Sequence, residues 1–438
     1  MLHKHKKLVP FETQKLTGMD RRNFIKKAAA TALSGVASIE LANSHISANT
    51  FLNEKKNFSV SARAITMWDF SWLERRWAGA GYEDWDEALD QLAERGYNAV
   101  RIDAYPHLIA KNSTKKWMLN EVWNQQVWGS PDLNEVQIQP NLNKFLEKCR
   151  TRDIKVGLSS WYRQDTDNTV MTITTPEIMA DCWIKTLKSI EADGLLDAVM
   201  FVDLCNEWPG NLWAPYFSSQ YPHVVWGQWY KEESLKWMKT ALKIMKEEYP
   251  EMPFLFSFDY GDVEKYNEVD TSFLDLYEHH IWMVHQNNSE FYKAVGYKDG
   301  QFSPQAYKSV VANAEKLYRE KPQYWQQLLV DKIEQMAKVA RQNKRLVVTT
   351  ECWGIVDYKD WPLLDWGWVK ELCELGTITA ANTGVWIGIA TSNFCGPQFV
   401  GMWRDIEWHK RLTNIIKNSP IDKTIISNKT VQKLLKRI

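Results

Sequence analysis

The sequence predicts an α/β chain folded as a (β/α)8 TIM barrel with long βα loops. Three observations point there. Eight short, apolar, β-branched runs alternate with amphipathic helical patterns. The runs are continuous rather than alternating, as strands buried on both faces are. The surplus length beyond the ~250 residues usual for such a barrel falls after the runs, where active-site loops are built.

The elements follow in order. Strand one is expected at 61–68, strand two at 99–104, strand three at 155–160 and strand four at 198–205. Strand five falls at 254–258, six at 273–279, seven at 346–350 and eight at 384–389. Helical patterns lie between them at 85–95, 142–150, 178–191, 229–248, 324–341 and 369–375. In the first, Ala88, Leu89 and Leu92 recur at helical spacing. The long loops are 105–140, 161–174, 207–223, 281–304 and 353–368, and they are rich in Trp and Tyr. An open doubly wound sheet is the alternative topology. It would carry a glycine-rich phosphate loop early in the chain, and the sequence has none.

The chain of 438 residues has zero formal net charge, which gives no indication of nucleic acid or of an anionic membrane surface as partner. Residues 20–26, Asp-Arg-Arg-Asn-Phe-Ile-Lys, precede a weakly apolar stretch of small residues. This pattern resembles a twin-arginine export signal over 1–48, with Met19 as a possible true start. It implies the twin-arginine translocation machinery as a partner and a periplasmic or extracellular location. No later stretch reaches the 18 or so apolar residues of a membrane span. One catalytic domain is expected over 58–425, and Lys433–Ile438 reads as a solvated tail. The six cysteines fit neither a zinc site nor a small disulfide framework.

Chemistry concentrates at two strand ends. Val199-Met200-Phe201-Val202 runs into Asp203-Leu204-Cys205-Asn206-Glu207, and Leu346-Val347-Val348 runs into Thr349-Thr350-Glu351. A parallel barrel brings such ends to one face. A carboxylic acid that donates a proton needs a raised pKa, and the apolar Cys205 and Trp208 beside Glu207 favour that. Glu351 is then the ionised partner, and a retaining pair lies about 5–5.5 Å apart. Strand alternation places Phe201, Asp203, Cys205 and Glu207 on one face, and Val347, Thr349 and Glu351 on another. The chain also has 23 Trp. Among the loop residues Trp68, Trp72, Trp161, Trp208, Trp213, Trp353 and Trp361, flat faces suit sugar stacking, although packing serves each individually as well. Glu278-His279-His280 with His285 invites a metal reading, but adjacent histidines on a strand face opposite ways and chelate poorly together. No metal or cofactor is expected.

Asn-Glu closing strand four and Glu closing strand seven resemble clan A of the glycoside hydrolases, and within it the cellulase-like proteins related to family 5. The likeness spans the chain after the signal. It implies Glu207 as general acid/base, Glu351 as nucleophile and Asn206 as the partner of a sugar 2-hydroxyl. It further implies that Arg101 on strand two holds the nucleophile, that His280 and Trp282 stand at the family's His-x-Tyr, and that Trp386 is a platform under the cleaved sugar. Two departures stand out. Leu158-Ser159-Ser160-Trp161 replaces the family histidine near strand three, and Trp282 replaces the tyrosine. The resulting expectation is a retaining hydrolase of a glucan- or mannan-like β-linked carbohydrate, working by double displacement. A non-catalytic sugar-binding barrel, a transglycosylase with the same glutamates, and a metal-dependent lyase or isomerase are the alternatives.

Overall fold

A computed structural model describes residues 61–122, 129–130, 132–297, 304–358 and 365–438. The twin-arginine motif and Trp361 lie outside the described residues.

The barrel strands are β1 (Arg63–Thr66), β2 (Ala99–Asp103), β3 (Lys155–Ser159) and β4 (Val199–Asp203). β5 comes in two pieces, Phe254–Leu255 and Ser257–Phe258. β6 (Tyr277–His279), β7 (Val347–Thr349) and β8 (Trp386–Ile389) complete the set. All neighbours pair in parallel, including β1 with β8. The sheet closes at β5: Phe254 is level with Val202 of β4, and Ser257 is level with Glu278 of β6. Every one of the eight expected strands is therefore present, trimmed at its ends.

The helices cover the barrel as their apolar stripes require. Trp85–Glu94 buries Trp85, Ala88, Leu89 and Leu92, and Asp84 caps it by accepting from the amides of Asp86 and Glu87. Pro176–Ala192, Pro322–Asn343 and Gly367–Thr383 extend beyond the stretches read from periodicity, while Glu232–Glu248 starts three residues later than expected. Elements inside the long loops went unread, among them an antiparallel hairpin of Lys116–Leu119 and Asn134–Gln137 and the helices Pro106–Asn112 and Pro215–Gln220, as did the helix Pro304–Glu320 that follows one of them.

The C-terminal residues are not a solvated tail. Lys429–Leu435 is helical and buries Val431 and Leu434. Arg437 donates to the carbonyls of Leu196 and Val199 at 2.9 Å, at the start of β4, and Arg63 Nε reaches the Ile438 carbonyl at 3.0 Å. Helical structure thus continues past residue 425 and covers the end of the barrel opposite the glutamates. The six cysteines are free and buried. Among the described residues, no helix is long and apolar enough to cross a membrane.

Candidate active site

Arg101 is the centre of the site. It is fully buried on β2, inside the barrel. Its Nε lies 3.0 Å from Asp69, its Nη2 3.1 Å from Asp203 and its Nη1 3.2 Å from Glu278. Nη2 also donates to Ser159 Oγ at 3.0 Å and to Asn206 Oδ1, and Nη1 donates to Thr350 Oγ1. Glu351 Oε1 stands 3.7 Å from Nη1. Only a planar guanidinium offers enough donors in fixed directions for this set. Burial opposes its charge, but Asp69, Glu278 and Asp203 outweigh burial and hold the guanidinium protonated. Arg101 thus stands within 4 Å of Glu351, while its shorter ion pairs go to other carboxylates.

The two glutamates converge on His280. Its Nδ1 lies 2.9 Å from Glu207 Oε1, and its Nε2 lies 3.7 Å from Glu351 Oε1. One donor atom each from Glu207, His280 and Glu351 falls within 4.8 Å of the others. Burial alone would lower the His280 pKa, but Glu351, Glu207 and Glu278 raise it to about 10. Burial, with the nearby Glu207 charge, pushes Glu351 up to about 8, against the pull of His280 and Arg101. Asp69, Asp203, Glu207, Glu278 and Glu351 thus face two cations, Arg101 and His280. Burial likewise raises Asp69, and it raises Asp203 to about 6 against the pull of Arg101.

Glu207 adopts a left-handed backbone with φ of +46°. That conformation costs a non-glycine residue roughly 1–2 kcal/mol. Its turn is pinned on both sides: the Glu207 amide donates to Ser257 Oγ at 3.1 Å, and the Asn206 amide donates to the Ser160 carbonyl at 2.9 Å. A glutamate kept where glycine or asparagine would be cheaper indicates that its side chain is what the position serves. The turn also breaks strand alternation, so the neighbours Asn206 and Glu207 both reach the site. The same happens at β7. Thr350 bonds Arg101 and the Glu278 carboxylate, whereas Thr349 Oγ1 donates to the His279 carbonyl at 3.0 Å. The expected shared face of Thr349 and Glu351 does not hold beyond the strand end.

The aromatic candidates divide. Trp161 is at the site: its Nε1 donates to Asp69 at 2.8 Å, and its ring meets Trp213 edge-on at 4.7 Å. Trp213 Nε1 in turn donates to Glu207 Oε2 at 3.3 Å. Trp282 is also there, edge-on to His280 at 5.5 Å, with Nε1 donating to Asn393 Oδ1 at 3.2 Å. Trp208 is not. It turns into the helical layer, where Nε1 donates to Ser234 Oγ at 2.7 Å and the ring packs on Phe217 and Phe256. Trp386 sits at the beginning of β8, level with Val347, and its Nε1 donates to Thr349 Oγ1 at 2.9 Å. It is a wall residue at the wrong end of its strand for a sugar platform.

His279 faces away from His280, with Nδ1 3.5 Å from Tyr266 Oη, and His285 stacks on Tyr260 at 3.8 Å. The Glu-His-His run therefore supplies no metal set. Glu207, His280 and Glu351 offer donor atoms close enough for a cation, but a cation there would displace the Glu207–His280 hydrogen bond. Both thiols beside the glutamates are poor nucleophiles, because burial pushes Cys205 and Cys352 well above the ordinary thiol range. The buried atoms Asn206 Nδ2, His280 Nε2 and Glu351 Oε1 have no hydrogen-bond partner among the described residues.

Residues 65–417 match the family model described as sugar-binding cellulase-like. The chain belongs to this cellulase-like family. A crystal structure from Parabacteroides distasonis ATCC 8503, provisionally named a glycoside hydrolase, is 70% identical. The match covers 87% of this chain and 100% of that one, with a TM-score of 0.86. A family 5 mannosidase from Rhizomucor miehei is 11% identical over 86% of this chain and 95% of its own, with a TM-score of 0.46. An endo-mannanase from Thermotoga petrophila RKU-1 is 11% identical over 75% and 87%, with a TM-score of 0.44. No protein with a curated description matches the chain.

Within this cellulase-like barrel, sequence reading missed Asp69, Ser159, Glu278, Thr350 and Asn393. Glu278 was within reach, since it lies two residues before His280 on the same strand face. Asn393 follows the end of β8, where its Oδ1 accepts from Trp282 and from the Cys352 amide at 2.8 Å. Nothing in its local sequence signals that role.

Proposed function

We propose that this protein is a retaining hydrolase of a β-linked oligo- or polysaccharide, glucan- or mannan-like. The observation that supports it is the convergence of Glu207 and Glu351 on His280, with donor atoms within 4.8 Å, at the ends of β4 and β7. That proximity suits a nucleophile and an acid/base rather than two carboxylates spread to admit a water between them.

In the first step, a Glu351 carboxylate oxygen attacks the anomeric carbon as the glycosidic C–O bond breaks. The Glu207 proton passes to the leaving oxygen. In the second, the Glu207 carboxylate takes a proton from water, the water oxygen attacks the anomeric carbon, and Glu351 is released. Arg101 and His280 supply positive charge beside Glu351 Oε1 and favour its ionised form against the burial that raises it. Asn206, with Oδ1 held by Arg101, has its Nδ2 amide available for the sugar 2-hydroxyl. We also infer export by the twin-arginine route to the periplasm or beyond, from the Arg21-Arg22 signal pattern.

The test is intact mass spectrometry after incubation with activated 2-fluoro β-glycosides, on wild type and Glu351→Gln. A stoichiometric adduct on Glu351, absent in the variant, is expected. A protein that binds oligosaccharides but forms no adduct would instead be a sugar-binding barrel, a role consistent with the sugar-binding character of the family.

A further inference from the structure

The loop after β4 runs on from Glu207 to Trp226 and Gly227. Trp226 is 38% exposed, a large aromatic left facing solvent. It is not adrift. A Cβ placed on Gly210 would come within 2.8 Å of the Glu207 carbonyl and 3.1 Å of the Trp226 ring, so the indole lies close over a glycine. The Gly210 amide in turn donates to the Glu207 carbonyl at 2.7 Å. The exposed ring therefore rests on the turn that carries the acid/base.

The next residue, Gly227, has φ of +81°, and a Cβ on it would lie 3.1 Å from Asp259 Oδ2. Glycine again permits a close approach, here between the Trp226 loop and a carboxylate just past β5. Asp259 is 5% exposed, and Oδ1 accepts from the Gly261 amide at 3.1 Å. Burial and the charge of Glu207 hold its pKa up at about 7. On its other side, Tyr260 stacks on His285 and meets Trp282 edge-on at 6.2 Å. An aromatic face, a nearly buried carboxylate and a second aromatic thus lie near Glu207. This is the composition of a sugar site, in which rings take the apolar face and a few polar groups fix the hydroxyls.

We propose that Trp226 and Asp259 form the subsite for the leaving-group sugar, with Trp226 stacking on its face and Asp259 accepting from its hydroxyls. The inference rests on the glycosidase reading above. The acid/base must sit beside the leaving oxygen, so whatever that oxygen belongs to lies on the Glu207 side, where these two residues are. The preferred substrates are then those whose leaving group is itself a sugar.

The experiment compares kcat/KM for cellobiose and mannobiose with that for the 4-nitrophenyl β-glycosides of glucose and mannose. It uses wild type, Trp226→Ala, Asp259→Asn and Gly227→Ala. The last variant keeps both side chains while straining the turn at φ +81° and crowding Asp259. The ratio of disaccharide to aryl-glycoside kcat/KM is expected to fall tenfold or more in each variant. Folding is checked by circular dichroism, and Trp226→Tyr, which keeps a stacking face, is expected to recover most of the ratio. A ratio unchanged within about threefold in folded Trp226→Ala and Asp259→Asn would overturn the subsite, as would equal losses on both substrates. Wild type that cleaves aryl glycosides but no disaccharide would overturn it too, leaving the glycosidase reading intact. Wild type that cleaves neither and forms no fluorosugar adduct would remove that reading, and the subsite with it.

Discussion

Replacing Arg101 tests the electrostatic argument for the whole site. In Arg101→Met, Asp69, Asp203 and Glu278 lose a partner that stood 3.0–3.2 Å away, all inside the barrel. Removing one member of a buried pair costs about 3–5 kcal/mol. The three losses do not add in full, because each stranded carboxylate can take up a proton at about 1.4 kcal/mol per pKa unit. The expected loss at pH 7 is therefore about 3–5 kcal/mol in total. Arg101→Lys keeps one charge but cannot span the same partners, so about half that loss is expected. The pH dependence is then set by sign. Burial, together with the Glu278 charge, already holds Asp203 up at about 6 against the pull of Arg101, and without the guanidinium it rises further. The native state then binds more protons than the unfolded one, so stability falls as pH rises from about 4 through the raised values. Urea unfolding followed by tryptophan fluorescence at pH 4.5, 6 and 7.5 reads this directly. The gap between Arg101→Met and wild type should be small at the lowest pH and widen steadily. A gap under about 1 kcal/mol at pH 7.5, or one that does not change with pH, would refute the charge accounting.

Other expectations are simpler to read. His280 is held up to about 10, so its protonation contributes stability below its unfolded value of about 6.5, and this is lost as pH rises toward 10. His280→Gln should accordingly melt lower than wild type at pH 6, with the difference closing by pH 10 in thermal scans. Gly376 lies in the helix over Trp353, where a Cβ would come within 2.5 Å of the indole Cγ. Gly376→Ala is expected to lose about 1–3 kcal/mol by overpacking, measured as a shift in urea midpoint. Trp208→Phe should cost about 1–2 kcal/mol through the lost Ser234 bond, while oligosaccharide affinity by titration calorimetry stays within about twofold.

Strands buried on both faces leave a strong trace in sequence, which is why all eight were legible from apolar runs alone. Their ends were harder. Alternation of side chains is a property of extended backbone. Glu207, at a φ of +46°, has left that conformation, so counting by twos from Asp203 could not say that Asn206 would join it. The tryptophans mark a second boundary. Composition argued for a sugar cleft, yet Trp208 and Trp386 proved to be packing, and the difference lies in backbone direction that no residue count carries. Trp208 directly follows Glu207 and still points the other way, into the helix that holds Ser234.

The ion cluster around Arg101 marks a third boundary. A guanidinium with several carboxylate neighbours needs residues from β2, β4, β6 and the loop after β1 to meet, and each is ordinary where it stands in the sequence. Glu278 carries the consequence of their meeting. Burial alone would raise its carboxyl, yet Arg101 and His280 hold it below the usual glutamate range. Its charge is thereby fixed, and it helps keep His280 protonated between the two glutamates. The charge on Glu351 is thus tied to Arg101 and His280, which pull against its burial, and Glu278 acts on it through both. Substitutions at Glu278 or Asp203 should therefore move the pH profile of the site before they move its affinity for carbohydrate.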